Sequence, residues 1–199
     1  MDVLNNKIIL PPEKIPTHWF NIKPSIGGPE KFSPMYLPNG QLATFEAMCT
    51  VFPTECVIHG VTMDPLVEIP KEVREGYAIN NRPTPVQRAF RLEKFLGLDP
   101  EKQRIYFKRE DVSPTGSHKA NAAIPQAYYA KKQGLEGLTT ETGAGQWGSA
   151  LCFAGALYGL NIKVFQVRIS YQQKPGRLVL MKAYGGEVIP SPSPLTNSG

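Results

Sequence analysis

The second part of the chain alternates between segments with helical and with strand-like spacing of apolar residues. The segments with helical spacing are residues 86–96, 118–133, 147–160 and 175–184. The apolar runs short enough for strands are residues 104–108, a run that ends near Thr139, residues 162–168 and residues 187–189. Strands that alternate with helices favour a parallel sheet with helices on both faces, so the pattern predicts an α/β fold.

Glycine and proline mark the ends of these segments. Gly97 and Gly134 close the first two predicted helices, and Pro175 opens the last one at a first-turn position. Pro125 lies inside the second helix, where a proline is expected to kink the helix or to restart it.

The first 85 residues have a different texture, because they hold twelve of the 19 prolines. Proline removes a backbone donor and interrupts regular structure, so residues 1–85 are predicted to form a mostly irregular extension that wraps over the body. A helix is expected around residues 40–51. Residues 86–199 are then predicted to be the first part of an α/β core.

Lys119 stands where a predicted strand, residues 104–107, has ended in a turn and a helix opens. Partial burial and the positive end of a helix both disfavour a charged amine and release its lone pair. Such a lysine can form a Schiff base with an aldehyde, and an amine at the mouth of a parallel sheet suits that chemistry. The plainer interpretation is a solvated lysine in the first turn of a surface helix.

A glycine-rich run precedes the third predicted helix. Gly143, Gly145 and Gly148 let the backbone approach an anion closely and offer N–H groups at a helix N-terminus. This arrangement suits a carboxylate or a phosphate.

The same letters satisfy the G-x-G-x-x-G fingerprint of dinucleotide sites. That fingerprint is weak without an acidic residue about 20 positions later to hold the ribose. The next acidic residue after Glu141 is Glu187, so only an NADP site that uses Arg168 stays open as an alternative.

Six ordered motifs carry a resemblance to a known family. They are residues 15–21 (IPTHWFN), 81–85 (NRPTP), 108–111 (KRED), 116–121 (GSHKAN), 141–148 (ETGAGQWG) and 184–193 (YGGEVIPSPS). In these motifs the chain resembles the β-subunit family of tryptophan synthase, which consists of pyridoxal phosphate (PLP) enzymes of fold type II. The resemblance runs along the whole chain and is strongest to the divergent second type of the family.

The resemblance implies roles for residues of two motifs. It implies that Lys119 is the Schiff-base lysine and moves the substrate α-proton, that His118 contacts the cofactor phosphate, and that Asn121 orients the cofactor ring oxygen. It also implies that Glu141 assists loss of the substrate β-hydroxyl and then steadies indole. The implied carboxylate cradle consists of Thr142, Gly143, Ala144, Gly145 and Gln146, and Gln146 is also expected to contact the cofactor.

The activity that the resemblance implies is a PLP-dependent lyase reaction, in which indole replaces the β-hydroxyl of L-serine to give L-tryptophan. Two alternatives stay open: another β-replacement or β-elimination, with O-phosphoserine or threonine, and a non-catalytic fragment that keeps the fold. The expected partners are a second copy of the complete chain and, with less support, a tryptophan synthase α-subunit.

The chain departs from the family in two respects. Trp147 stands where the first type of β-subunit has histidine, which puts the aryl acceptor pocket and the pairing with an α-subunit in doubt. Family chains are also far longer, so the sequence is expected to be truncated. The part beyond residue 199 is expected to carry the glycine-rich phosphate loop and the residue that faces the pyridine nitrogen, so the isolated chain is expected to be inactive.

Charge is unevenly distributed over the 199 residues. Residues 1–80 carry a net charge of −3 and residues 81–199 a net charge of +8, which gives the total of +5. Nucleic acid is not expected as a partner, because the basic residues are scattered and no recognition module is present. A phosphate cofactor and a carboxylate substrate need only a modest local positive field.

The remaining composition is that of an ordinary globular protein. Hydrophobic residues make up 41% of the chain, and no segment approaches the ~20 apolar residues of a membrane span. The three cysteines, at positions 49, 56 and 152, and the isolated histidines make no metal-ligand spacing, and Cys152 is expected to be a small core residue. An odd number of thiols and an N-terminus without a secretory leader favour a cytoplasmic enzyme.

Overall fold

The computed structural model describes residues 6–28 and 31–195. Residues 1–5, on which the expectation of no leader partly rests, and residues 196–199, at the expected point of truncation, lie outside the described residues. The helices are α1 Lys23–Ile26, α2 Phe45–Cys49, α3 Thr54–Val61, α4 Lys71–Ile79, α5 Phe90–Phe95, α6 Ala120–Lys132, α7 Gln146–Tyr158, α8 Arg168–Gln173 and α9 Pro175–Ala183. The strands are β1 Lys7–Ile8, β2 His18–Phe20, β3 Leu66–Glu68, β4 Val86–Arg88, β5 Tyr106–Lys108, β6 Gly137–Thr142, β7 Asn161–Val167 and β8 Glu187–Ser191.

These strands form three sheets within the described residues. The largest pairings are those of the parallel sheet β6-β7-β8, in which Thr142 is in register with Gln166, and Gln166 with Pro190. A second sheet has the order β1-β4-β5 with antiparallel pairs, and β2 pairs antiparallel with β3. The predicted α/β fold with a parallel sheet and packed helices is confirmed.

The core lies where α6, α7 and α9 pack on the parallel sheet. Residues 148–155 of α7 are all buried, and α6 contributes Ala123, Ile124 and Ala127 with no exposed surface. Gly148 permits this packing, because a Cβ there would lie 2.7 Å from Sδ of Met181 and 2.8 Å from Cγ1 of Val164. Small residues on α6 and α7 therefore let the two helices and the sheet approach one another closely.

The two faces of the parallel sheet differ. On β7, Ile162, Val164 and Gln166 are buried, whereas Lys163 and Val167 are exposed. Successive side chains of a strand point to opposite faces, so α7 covers one face and the other face is largely open in the described part of the chain. Helices were expected on both faces of this sheet, and the described residues place them on one face.

Several predicted element boundaries are wrong. Residues 86–96 are not one helix, since residues 86–88 form β4, which pairs with both β1 and β5 before α5 begins at Phe90. Tertiary pairing therefore overrides the local helical spacing. The strand before Lys119 is shorter than predicted and belongs to the antiparallel sheet, so the parallel sheet does not include it. Likewise Arg168 begins α8 instead of ending β7.

Other boundaries are close to the prediction. α6 is a single helix that runs through Pro125, so the proline does not restart it. α2 is limited to Phe45–Cys49, well inside the predicted residues 40–51. The described part of the first 85 residues contains three further helices, α1, α3 and α4, and Val73 and Tyr77 of α4 belong to the core. The division at residue 85 stays a prediction.

No helix among residues 6–28 and 31–195 is long and apolar enough to cross a membrane. The same residues contain no group of three or more His, Cys, Asp or Glu that could hold a metal ion.

Candidate functional site

The loop before Lys119 is fixed by its own hydroxyl groups. Oγ of Ser113 donates to the carbonyl of Ser117 (3.0 Å) and accepts from the backbone N–H of Ser117 (3.1 Å). Oγ1 of Thr115 lies 3.3 Å from Oγ of Ser113, and Thr115 is 1% exposed. Gly116 occupies the left-handed region at φ +65°, which the tight turn requires. This loop, residues 113–118, is called the lysine loop below.

Lys119 immediately precedes the first residue of α6. Its backbone N–H donates to Oγ of Ser117 (3.4 Å), and its carbonyl accepts from the N–H groups of Ala122 and Ala123 (3.1 Å each). The half-buried side chain extends to α7, where Nζ donates to Oε1 of Gln146 (3.1 Å). The structure thus joins the two motifs that the sequence presents 27 positions apart.

The glycine-rich segment, residues 142–146, leads from β6 into α7 and is called the carboxylate loop. Gly145 has φ +93° and is the residue that precedes the helix, and its carbonyl accepts from the N–H (3.0 Å) and Oγ (2.7 Å) of Ser149. Buried Thr142 accepts the N–H of Gly148 at its Oγ1 (3.2 Å). The first N–H groups of a helix lack carbonyl partners within the helix, so this end offers donors to an anion.

The loop is open on one side and closely backed on the other. A Cβ at Gly143 would meet no atom within 4 Å. A Cβ at Gly145 would instead lie 3.0 Å from Cβ of Arg177 and 3.1 Å from Nε2 of Gln166. A ligand can therefore approach the loop from the side of Gly143 and Ala144, which are exposed.

Gln166 is a fully buried amide behind this loop. Its side chain is 0% exposed, and neither Nε2 nor Oε1 has a hydrogen-bond partner among the described residues. An unpaired buried amide costs about 1–3 kcal/mol. The carboxylate loop is thus backed by a buried polar side chain, although an apolar side chain would fill this position without that cost.

Asn121 is held by residues outside both loops. Nδ2 donates to Oε2 of Glu110 (3.2 Å), and Oδ1 accepts from Nδ2 of Asn80 (3.2 Å). Its carbonyl accepts from the hydroxyl of Tyr77 (3.0 Å), whose pKa is raised mainly by burial. Glu110 in turn accepts from Oγ1 of Thr84 (2.6 Å). The predicted contact of Asn121 with a cofactor would use the remaining donor of its amide.

The remaining predicted residues are exposed. His118 lies at the end of the lysine loop, and Glu141 is the next-to-last residue of β6. Glu141 is in register with Phe165 and Phe165 with Ile189, so these side chains share the open face of the sheet. Glu141 is therefore at the correct end of the strand for the site but on the face opposite to the one that α7 covers.

Two further residues have clear positions. Trp147 is half-buried, and its Nε1 donates to Oγ1 of Thr140 (2.9 Å), which fixes the indole ring beside β6. Cys152 is fully buried in α7, and burial raises the pKa of its thiol to about 12. A thiol of that kind is a poor nucleophile, which agrees with the predicted core role.

Sequence reasoning missed the residues that hold the site in place. Thr84 and Glu110 lie within two of the quoted motifs, yet nothing in their spacing shows that they meet. Arg177 and Gln166 lie in no motif that suggested a site. Their roles depend on contacts between elements that are distant in sequence, and a single sequence carries no signal for them.

A parallel sheet, a lysine at a helix start and a neighbouring glycine loop at a helix N-terminus are together typical of an α/β enzyme that binds an anion. A family model described as "Pyridoxal-phosphate dependent enzyme" matches residues 78–198. The chain belongs to this family of PLP-dependent enzymes.

Individual relatives also match the chain along nearly its whole length. The chain is 50% identical over 97% of its length to the tryptophan synthase beta chain 2 of Thermococcus kodakarensis, and 49% identical over 96% to that of Thermotoga maritima. It spans 43% and 44% of the length of these two proteins. Among solved structures, a pyridoxal 5'-phosphate-dependent aspartate racemase aligns with a TM-score of 0.50 at 25% identity, over 64% of this chain and 41% of that one.

The residues fit the cofactor of the family. Lys119 forms no ion pair with a carboxylate within residues 6–28 and 31–195, and its nearest polar partner is the neutral amide of Gln146. The amine of Lys119 is thus available to react with an aldehyde, and the neighbouring loop is open at Gly143. The dinucleotide alternative rests on Arg168, whose guanidinium donates to the carbonyl of Pro192. The family match favours PLP over a dinucleotide.

Proposed function

We propose that this chain supplies the lysine-bearing part of an enzyme that replaces the β-hydroxyl of L-serine with indole to form L-tryptophan. The observation that supports the proposal best is the contact between Nζ of Lys119 and Oε1 of Gln146 at 3.1 Å. It brings an amine and an anion-binding loop to the distance that one amino acid can span. The names of the relatives from T. kodakarensis and T. maritima point to the same reaction.

Lys119 is proposed to bind the aldehyde of PLP and to move the substrate α-proton. When bound, the cofactor supplies an electron sink for the amino acid. Lys119 is suited to the proton transfer because the lysine loop and the first turn of α6 hold its backbone on both sides. His118 is proposed to contact the phosphate and Asn121 the ring oxygen.

The carboxylate loop is proposed to bind the carboxylate of the amino acid. The backbone N–H groups of Gly143, Ala144 and Gly145, just before α7, are the proposed donors, and the loop is open at Gly143. Gln146 adds a side-chain amide that already contacts Lys119. Binding at this loop would place the α-carbon of the substrate near Nζ of Lys119.

Glu141 is proposed to donate a proton to the departing hydroxyl and then to accept the N–H of indole. It precedes the carboxylate loop directly, so a substrate held there would present its side chain near the carboxyl end of β6. Its exposure in the described residues means that the desolvation such a role needs has to come from a substrate or from further protein.

The proposed partners are those that the reaction and the family resemblance imply. They are the small molecules L-serine and indole and a second copy of the complete protein. A tryptophan synthase α-subunit is a less supported partner, since Trp147 replaces the histidine of the first type of β-subunit.

The 199-residue chain by itself is proposed to bind PLP weakly, to lack the activity and to aggregate. Large apolar side chains are widely exposed, including Phe95 at 85%, Val51 at 71% and Phe20 at 69%. Contiguous exposed apolar surface favours association. A monodisperse and active 199-residue protein would contradict this part of the proposal.

The experiment uses the chain extended to the full length of its relatives, loaded with PLP. L-serine and indole are supplied, and L-tryptophan is measured by chromatography with mass detection. Matched reactions replace L-serine by O-phospho-L-serine or L-threonine. We expect the highest kcat/KM with L-serine, whereas a higher value with either alternative donor would assign a different β-replacement. A protein that retains PLP but releases no product from any donor would favour a non-catalytic role.

A further inference from the structure

Arg177 reaches from α9 to both loops of the candidate site. Its Nη1 donates to the carbonyl of Thr115 in the lysine loop (2.8 Å), and its Nη2 lies 3.9 Å from the position of a Cβ at Gly116. Its Cβ and Cγ lie 3.0 Å and 3.3 Å from the position of a Cβ at Gly145 in the carboxylate loop. The side chain of Arg177 therefore contacts both the lysine loop and the carboxylate loop, the two segments that the side chain of Lys119 also connects.

An arginine side chain suits both of these contacts. The aliphatic part of the side chain backs Gly145, while the planar head with its five donors reaches a carbonyl in the other loop. No salt bridge in the described part of the chain includes Arg177. The half-buried guanidinium thus donates to a neutral carbonyl, which indicates that it holds the loop in place and does not neutralise a charge.

A second contact from the same helix supports this role. The hydroxyl of Tyr184, just after α9, donates to the carbonyl of Pro114 (3.1 Å), and burial raises the pKa of this hydroxyl. α9 therefore holds two successive carbonyls of the lysine loop, those of Pro114 and Thr115. The loop is anchored to the helix layer of the parallel sheet, although the strand before it belongs to the antiparallel sheet.

We propose that Arg177 is a positioning residue that couples the lysine loop to the carboxylate loop and so sets the place of Lys119 relative to the bound amino acid. The inference rests on the proposed function only for its kinetic consequence. The coupling itself is a property of the protein without cofactor. In this proposal Arg177 itself contacts neither the substrate nor PLP.

The first test measures amide hydrogen exchange in the full-length protein without PLP. Arg177→Met keeps the methylene groups behind Gly145 and removes the donors, and Arg177→Lys restores one charged donor. We expect exchange in residues 113–119 to rise about tenfold in Arg177→Met and to return partly in Arg177→Lys. The matched control is Arg104→Met, since Nε of Arg104 also donates to a backbone carbonyl, that of Pro100 (3.0 Å), away from both loops.

Two exchange results would overturn the coupling. One is an unchanged rate in residues 113–119 of Arg177→Met. The other is an equal rise throughout α6 and α7, which would show general destabilisation. Either result stands whether or not the full-length protein makes tryptophan.

The second test separates kcat from KM in the PLP-loaded protein. A displaced Lys119 slows the proton transfer, whereas the methylene groups that Arg177→Met retains still back Gly145, so the carboxylate loop should keep its place. We therefore expect Arg177→Met to lower kcat at least about tenfold while KM for the amino acid changes less than about threefold, with partial rescue by Arg177→Lys. An equal loss in Arg104→Met, or a change confined to KM, would refute the positioning role. If the unsubstituted protein is inactive, the proposed function fails while the exchange test still decides the coupling.

Discussion

The α6–α7 region buries most of its apolar residues, whereas the N-terminal segment before α4 leaves many of its apolar residues exposed. Residues 148–155 of α7 are all buried, and α6 buries Ala120, Ile124 and Ala130 completely. Helices α1 and α2 bury no residue, and Phe20 and Ile22 are more than half exposed. The candidate site therefore lies on a region with a core of its own, whereas the N-terminal segment has apolar surface without a partner in the described residues.

This difference predicts which substitutions change activity and which change stability. Substitutions in the loops that α6 and α7 carry should change chemistry, and substitutions under these helices should change stability. Matched changes in the N-terminal segment should do little to either. Four substitutions, each with a control, test this contrast in order of decreasing effect.

Replacement of Lys119 should have the largest effect. Lys119→Ala removes the only amine that contacts Gln146 in the described residues, so kcat for tryptophan formation in the PLP-loaded full-length protein should fall at least about 10³-fold. The control is Lys71→Ala, because the side chain of Lys71 is 79% exposed on α4. Comparable activity in the two variants would remove Lys119 from the chemistry.

Glu141→Gln should follow with a loss of about 10²-fold in kcat, because the amide keeps the shape of the side chain but cannot transfer a proton. Retention of PLP, measured by absorption of the dialysed protein, should be unchanged. Glu136→Gln is the control, since Glu136 precedes the opposite end of the same strand. Unchanged turnover with indole in Glu141→Gln would assign Glu141 a structural role.

Gly148→Ala should destabilise the protein by about 1–3 kcal/mol, because the added methyl group overpacks the contact with Met181 and Val164. In Gly176→Ala the new Cβ would meet no atom within 4 Å, so its effect on the free energy of unfolding should be within about 0.5 kcal/mol. Denaturant unfolding of both variants measures the difference. Equal stability of the two would contradict the close packing of α7 on the sheet.

A pair of isoleucines gives the smallest expected effect. Ile124→Val should cost about 0.5–1.5 kcal/mol in the free energy of unfolding, since Ile124 is 0% exposed in α6. Ile22→Val in the N-terminal segment should cost almost nothing, because Ile22 is 59% exposed. A larger loss for Ile22→Val would show that the N-terminal segment is as well packed as the α6–α7 region.

The sequence predicted the α6–α7 region better than the rest, for physical reasons. Gly159 follows α7 directly, and Gly134 lies one residue beyond Gln133, which caps α6. Both glycines have positive φ, so local chemistry sets these ends. Local spacing failed for residues 86–88, which β1 and β5 recruit into a sheet from distant parts of the chain. Long-range pairing of this kind leaves no periodic trace in three residues.

The candidate site shows the same limit. The resemblance assigns Lys119 and the carboxylate loop to one site, and the structure places Gln146 of this loop next to Lys119. The supports of the site, Arg177 and Tyr184, could not be predicted, because each acts through one hydrogen bond to a backbone carbonyl. Any residue can present such a carbonyl, so side-chain identity at the acceptor position carries no information.

Reductive trapping shows which lysine binds the cofactor. The full-length protein is loaded with PLP, reduced with borohydride and digested, and the peptides are mapped by mass spectrometry. We expect the phosphopyridoxyl group on Lys119, in the peptide that contains the lysine loop. Attachment to another lysine, such as Lys108 or Lys182, or no attachment in a protein that still retains PLP, would contradict this expectation.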